Sequence, residues 1–287
     1  MKLDSLINKA NHLNKSYIPE DLFTIDQNEN NFHKYKDVNL KPAVSIEILP
    51  YFLAMQYFAH KEGYHIIIDS GYRSYQYQQI IWDKFKEEVG EEALSLVAPP
   101  GASEHQTGLA FDIAYLKGVS LTYDDKVEET DAEVAWLREN AHLFGFILRY
   151  PLGKEHITGY KHEPWHYRFI GVPLATCLKK NGITLEEYYL DIERYKKDLS
   201  NEIPFFITEL AMMAAIYYVR NSFQELNVEE LLDKYQRLFP GAQIIPIIPI
   251  HKESLLKGLQ ALPKENLKKL ASYELIAFVE NYLYLGR

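Results

Sequence analysis

Cysteine is almost missing from this sequence: Cys177 stands alone in 287 residues. A lone thiol excludes an internal disulfide and any zinc cluster built from several cysteines. Lying between Thr176 and Leu178 after a stretch of small residues, Cys177 is expected to be a buried structural thiol, not a nucleophile. Long apolar runs are missing too. No stretch approaches the roughly 20 residues of a membrane-crossing helix, so no membrane span is expected. The N-terminus, MKLDSLINKANHLNKSY, is charged throughout and lacks the apolar centre of a signal peptide. A cytoplasmic location follows as the expectation, with the cell surface as the alternative if an export signal has been removed. Basic charge is in deficit: 31 Lys and Arg against 40 Asp and Glu leave a net −9. That balance argues against a nucleic-acid partner, which would want basic surface.

What is present is ordinary globular material. Hydrophobic residues make up 47% and charged residues 25%, enough core for one large domain or two modest ones. Residues 1–40 are polar and rich in turn formers and read as an extended arm with loops. Residues 42–62 show near-helical spacing interrupted by Pro50. His65-Ile66-Ile67-Ile68 reads as a short buried strand ending at the turn signal Asp69-Ser70-Gly71. Ser74 then caps a helix whose Tyr77, Ile81 and Phe85 recur every four residues, up to Gly90. Residues 96–108 are loop-like, and 109–115 alternate large and small side chains as a strand does. Asp131 is placed as the cap of a helix ending near Phe144 and Gly145. Two further strands are expected at 146–150 and 165–170.

Strands and helices mix here without a regular βαβ rhythm, which favours an α+β fold. From about residue 184 the pattern turns helical, in segments 184–199, 203–223, 227–238, 252–260 and 264–285. The expected organisation is one domain over 1–199, followed by a small all-helical C-terminal domain over 200–287. That second domain is a candidate surface for a protein partner or self-association.

The chemistry gathers around KHEPWHYRF at 161–169. His162-Glu163-Pro164-Trp165-His166 spells H-E-x-x-H, which binds zinc when a helix puts both histidines on one face. Pro164 argues against that helix, because proline has no N–H and disfavours helical geometry at Glu163. The residues that follow are aromatic and branched, as in a strand. His166 then needs ligands from elsewhere. Ser103-Glu104-His105-Gln106-Thr107-Gly108-Leu109-Ala110-Phe111-Asp112 offers them, since a turn at Gly108 lets His105 fold back towards Asp112. Asp112 sits between Phe111 and Ile113, and a buried carboxylate is costly unless paired or metal-bound. His105, Asp112 and His166 make an N2O set of the kind that leaves a fourth zinc position to water. Glu163 is placed to act as general base on that water. Arg73, between a strand end and a helix start, is a candidate to hold a substrate carboxylate or a developing oxyanion. His162 is expected to be a loop residue beside the site, not a ligand.

GYRS at 71–74, SEHQTGLAFD at 103–112 and EPWHYRFIG at 163–171 resemble the three signatures of VanY-type D-alanyl-D-alanine carboxypeptidases. NKSYIPEDL at 14–22 is also similar to that family, and the likeness runs in order over about residues 10–180. It implies a mixed, largely antiparallel sheet flanked by helices, and a single zinc ion on His105, Asp112 and His166. It further implies Glu163 as catalytic base and Arg73 on substrate or transition-state charge. Ser103 and Gln79 fall where the family lines its substrate pocket, and Trp165 and Tyr72 are expected to shape it. The implied activity is removal of the C-terminal D-Ala from a peptidoglycan pentapeptide or its precursors. An L,D-carboxypeptidase on the tetrapeptide and a D,D-dipeptidase on free D-Ala-D-Ala are alternatives. Because hedgehog-type signalling domains share the scaffold, a non-enzymatic zinc-containing binding or signalling module is a further one.

Overall fold

The computed structural model describes residues 2–25, 42–117 and 120–199. The helices expected beyond residue 200, and the C-terminal domain they would form, lie outside the described residues. By internal contacts the chain falls into two compact units, the first made of Met1–Ile25, Pro42–Ile48 and Phe58–Asn201. All the candidate site residues belong to it. Of the second unit, only Leu49–Tyr57 is among the described residues.

In chain order the elements are β1 (Leu22–Thr24), β2 (Ala43–Ser45), α1 (Leu49–Lys61), β3 (Ile66–Ser70), α2 (Tyr75–Val89) and α3 (Ala93–Leu96). A 3-10 turn at Glu104–Thr107 leads to β4 (Ala110–Lys117), β5 (Ser120–Tyr123), α4 (Ala132–Asn140) and β6 (Phe146–Leu148). Then come α5 (Glu155–Thr158), β7 (His166–Phe169), α6 (Val172–Asn181), α7 (Leu185–Leu190) and α8 (Ile192–Tyr195). β1 and β2 form a separate antiparallel ribbon. The main sheet has the order β3-β4-β7-β6, with β5 paired to the later half of β4. Every pairing is antiparallel, so the sheet expected to be mixed has no parallel pair among the described residues.

Alternation along β4 divides the sheet into two chemically different faces. Phe111, Ile113 and Tyr115 point one way and pair with Tyr167 of β7 and with Ile68 and Ile66 of β3. Phe146 and Phe169 join them, with ring centroids 5.2 Å apart for Phe111–Phe146 and for Phe146–Phe169. All eight of these residues are buried, and each such side chain stabilises the fold by roughly 1.5–3 kcal/mol. The opposite face carries Ala110, Asp112 and Ala114, which pair with Arg168, His166 and Ile67. Two alanines flanking an aspartate leave space on that face for something other than core.

Several expectations need correction. Pro50 does not interrupt a helix over 42–62. Residues 43–45 are strand, and Pro50 lies in the first turn of α1, where its missing N–H costs nothing. Ser74 caps α2 as expected, accepting from the Tyr77 N–H at 3.1 Å. The buried side of α2, however, runs through Gln78 and the half-buried Ile81, Trp82 and Phe85, while Tyr77 is exposed. Asp131 precedes α4 without capping it through its side chain. Its carboxylate instead takes the Tyr115 hydroxyl at 2.5 Å and Lys117 Nζ at 2.6 Å. Cys177 is buried and free, within α6. Among the described residues no helix is long and apolar enough to cross a membrane.

Candidate metal centre

Where Pro164 argues against a helix, the chain makes a β-turn. The His166 N–H reaches back to the Glu163 carbonyl at 3.2 Å, and Pro164 and Trp165 form the corner, proline in its favoured position there. Glu163 is thereby fixed just ahead of β7, its own N–H on the Tyr150 carbonyl at 3.2 Å, while the Trp165 carbonyl accepts from Ile113 at 3.0 Å. His162 is turned away, with Nδ1 on the Tyr150 carbonyl at 2.7 Å and Nε2 3.0 Å from Glu129.

β4 and β7 put Asp112 and His166 directly opposite each other, so side chains fifty-four residues apart become neighbours. His166 Nδ1 stands 2.9 Å from Asp112 Oδ1. His105 arrives from the 3-10 turn before β4, which Gly108 ends in left-handed geometry at φ 70°. A β-carbon at Gly108 would also press to 3.1 Å on the Ser45 nitrogen. Gln106 ties the same turn to the N-terminal arm, donating to the carbonyls of Asn14 and Tyr17 at 3.0 and 3.1 Å. His105 Nδ1 lies 2.6 Å from the Gly71 carbonyl. A carbonyl can only accept, so Nδ1 carries the proton and Nε2 keeps its lone pair. That Nε2 points at Asp112 Oδ2, 3.2 Å away, and at His166 Nδ1, also 3.2 Å away.

One ligand atom from each of His105, Asp112 and His166 therefore falls within 4.8 Å of the others, all three residues buried. Three facing acceptors need a cation or a proton between them. With only protons to hand, His166 is pushed up to about 9: burial opposes this, but the hydrogen bond to Asp112 and the negative charge of the nearby Glu104 prevail. Burial and the nearby Arg73 bring His105 down to about 4. Asp112 is held well below the usual carboxylate range, since His105 and His166 outweigh the effect of burial. Two neutral-capable imidazoles and a carboxylate that stays ionised suit a divalent ion such as zinc, with a position left open.

Arg73 follows β3 and holds its backbone N–H on the His105 carbonyl at 3.2 Å. Its Nη2 is 3.7 Å from Asp112 Oδ2, and the side chain remains partly exposed. Glu163 feels the same charges. Burial first, then Asp112, push its carboxyl up to about 7, against the pull of His166 and Arg73. Ser103 is buried directly before the turn that carries His105, and Trp165 is half-buried at the corner of the β-turn. Gln79 is not drawn into this group: its amide donates to Asp83, one turn along α2, at 2.8 Å. Its neighbour Gln78 is the buried one. It donates to the Ala98 carbonyl at 2.7 Å and leaves its Oε1 without a hydrogen-bond partner.

Two carboxylates beside Arg73 were not among the site residues expected from the sequence, where Asp69 reads only as part of a turn. A bulge between Ile68 and Ser70 sets Asp69 there, and its carboxyl is pushed up to about 7 by burial, then by Asp124 and Asp112. Asp124 adopts a positive φ of 48° and is raised for similar reasons. A cleft of about 530 Å³ between β6 and α6–α7 is lined by no member of the triad and is not this site.

A buried N2O triad beside a carboxylate of raised pKa and an arginine is the constellation of a metal-dependent hydrolase. The profile of the VanY family, D-alanyl-D-alanine carboxypeptidase, matches residues 41–172. YodJ of Bacillus subtilis, named as a carboxypeptidase, is 39% identical over 195 residues, 67% of this chain and 68% of that protein. Among solved structures, LdcB LD-carboxypeptidase is 37% identical with a TM-score of 0.55, covering 64% of this chain and 84% of its own. A Glu-to-Ala mutant of the vancomycin-resistance D,D-pentapeptidase VanY, in complex with Zn(II), is 34% identical with a TM-score of 0.54, covering 65% and 98%. The chain belongs to the VanY family of D-alanyl-D-alanine carboxypeptidases and is an enzyme of that class.

Proposed function

We propose that this protein is a zinc-dependent D,D-carboxypeptidase that removes the C-terminal D-Ala from peptidoglycan pentapeptide or its precursors. The observation that carries this is the cross-strand pair Asp112–His166 closed by His105, all buried and within 4.8 Å. Zinc held by these three side chains would supply Lewis-acid polarisation of the scissile carbonyl and of the attacking water. Glu163, fixed by the β-turn and raised towards neutrality, takes a proton from that water and returns it to the leaving amine. Arg73 presents its fork to the substrate's terminal carboxylate, or to the oxyanion as charge develops.

The D,D-pentapeptidase VanY and the LD-carboxypeptidase LdcB are matched about equally well. An L,D-activity on the tetrapeptide is therefore the second reading. Incubating the zinc-loaded enzyme with muramyl pentapeptide, muramyl tetrapeptide and free D-Ala-D-Ala, and quantifying released D-Ala, separates them. The first reading expects fastest release from pentapeptide. Release confined to tetrapeptide or dipeptide would replace it. Action on soluble precursors would place the enzyme in the cytoplasm, and action on the assembled wall at the cell surface; cell fractionation distinguishes the two.

A further inference from the structure

Behind the metal triad lies a buried cluster of charge that the mechanism above does not use. Glu104, Arg149 and Arg168 have fully buried side chains, and Glu186 is nearly so. Glu104 Oε1 takes Arg149 Nε at 2.8 Å and stands 3.0 Å from Arg168 Nη1. Arg149 grips Glu186 of α7 with both terminal nitrogens, at 2.9 and 2.5 Å. Arg168 holds the carbonyls of Leu3 and Ser5 at 2.9 and 3.1 Å. Isolating four charges from water costs several kcal/mol per ion before pairing offsets it, so their retention calls for a reason besides packing.

The other oxygen of Glu104 supplies it. Oε2 has no hydrogen-bond partner, and neither does Nε2 of His166; the two face each other at 3.6 Å, both buried. His166 Nδ1, on the opposite side of the ring, faces Asp112 and His105. An imidazole that binds metal through one nitrogen carries its proton on the other, and that proton needs an acceptor.

We infer that Glu104 is a positioning residue: it accepts the Nε2–H of His166 and thereby reserves Nδ1 for the metal, with Arg149 and Arg168 fixing its carboxylate from behind. The inference rests on the metal-centre reading above. It adds that α7 and the N-terminal arm brace the centre through Glu186, Leu3 and Ser5. The gap of 3.6 Å exceeds a hydrogen bond by a few tenths of an ångström, which a small turn of the ring closes.

The test uses the full chain with 15N-labelled histidine, loaded with zinc and compared with metal-free protein in long-range proton–nitrogen NMR spectra. His166 should appear as the Nε2–H form, with Nδ1 shifted on zinc addition. In Glu104→Gln that proton should move upfield, and competition against a chromophoric chelator should show zinc affinity about 10–100-fold weaker. Glu104→Asp, which keeps the charge, should recover part of the loss. If Glu104→Gln does not fold, the wild-type spectrum decides alone. A zinc-loaded wild type with the His166 proton on Nδ1 overturns the inference, as does a folded Glu104→Gln with unchanged resonance and affinity. A wild type that takes up no zinc overturns the metal-centre reading itself.

Discussion

Arg73 approaches Asp112 to 3.7 Å without closing a hydrogen bond, so its guanidinium is steadied by the site yet free to meet a substrate. Replacing it with alanine should lower kcat/KM by about 100-fold, the worth of one charge-assisted pair of roughly 2–3 kcal/mol. Arg73→Lys should recover little, since lysine keeps charge without the two-point fork. Zinc content should not change in either variant. Wild-type turnover in Arg73→Ala would remove Arg73 from the mechanism. At this scale the sequence shows its strongest signals where a residue is anomalous for its element. Asp112 stands out because a carboxylate interrupts an apolar strand, and Pro164 because it forbids the helix that H-E-x-x-H would need. Gln79 was expected at the pocket, but only the helix phase decides which side of a capped helix is buried, and it buries the neighbouring Gln78 instead. Asp69 and Asp124 depend on a bulge and a left-handed residue, features that side-chain patterns do not encode.

Between β3 and α2 the chain runs hard against β2. A β-carbon on Gly71 would lie 2.1 Å from the Ala43 carbonyl oxygen, and the same loop offers the Tyr72 N–H to that oxygen at 2.6 Å. Gly71 also holds His105 through its own carbonyl. Gly71→Ala should therefore displace both Arg73 and His105, lowering melting temperature and zinc affinity together. A Gly71→Ala protein with unaltered melting and zinc binding would show that the contact is dispensable. β3, β4, β6 and β7 were legible from apolar runs and alternation, because burial selects those patterns directly. β1, β2, β5 and α6 were not. A three-residue strand such as Ala43–Ser45 is too short for periodicity to register, and Pro50 can mark the start of a helix or its interruption with the same letter. Whether strands run parallel or antiparallel depends on connections that composition does not specify.

Across the described unit, the metal centre joins segments that are distant in the chain: the loop after β3, the turn before β4, β4 itself and the start of β7. A ligand that binds only the folded arrangement stabilises it by mass action. Zinc should accordingly raise the melting temperature of chelator-treated protein, and activity should vanish on chelation and return with zinc. His166→Ala should show neither effect; an equal zinc-induced shift in that variant would place the metal elsewhere. The order of motifs made the family and the candidate ligand set legible, while the pairing of Asp112 with His166 depends on the sheet register.

The account rests most directly on Glu163 acting as base without holding the metal. The deciding measurement is D-Ala release from muramyl pentapeptide by wild type and Glu163→Ala, each with zinc content determined on the same sample. The expected result is one zinc per chain in both proteins, with turnover in Glu163→Ala reduced by about 100-fold or more. Near-wild-type release from a zinc-replete Glu163→Ala protein would contradict it.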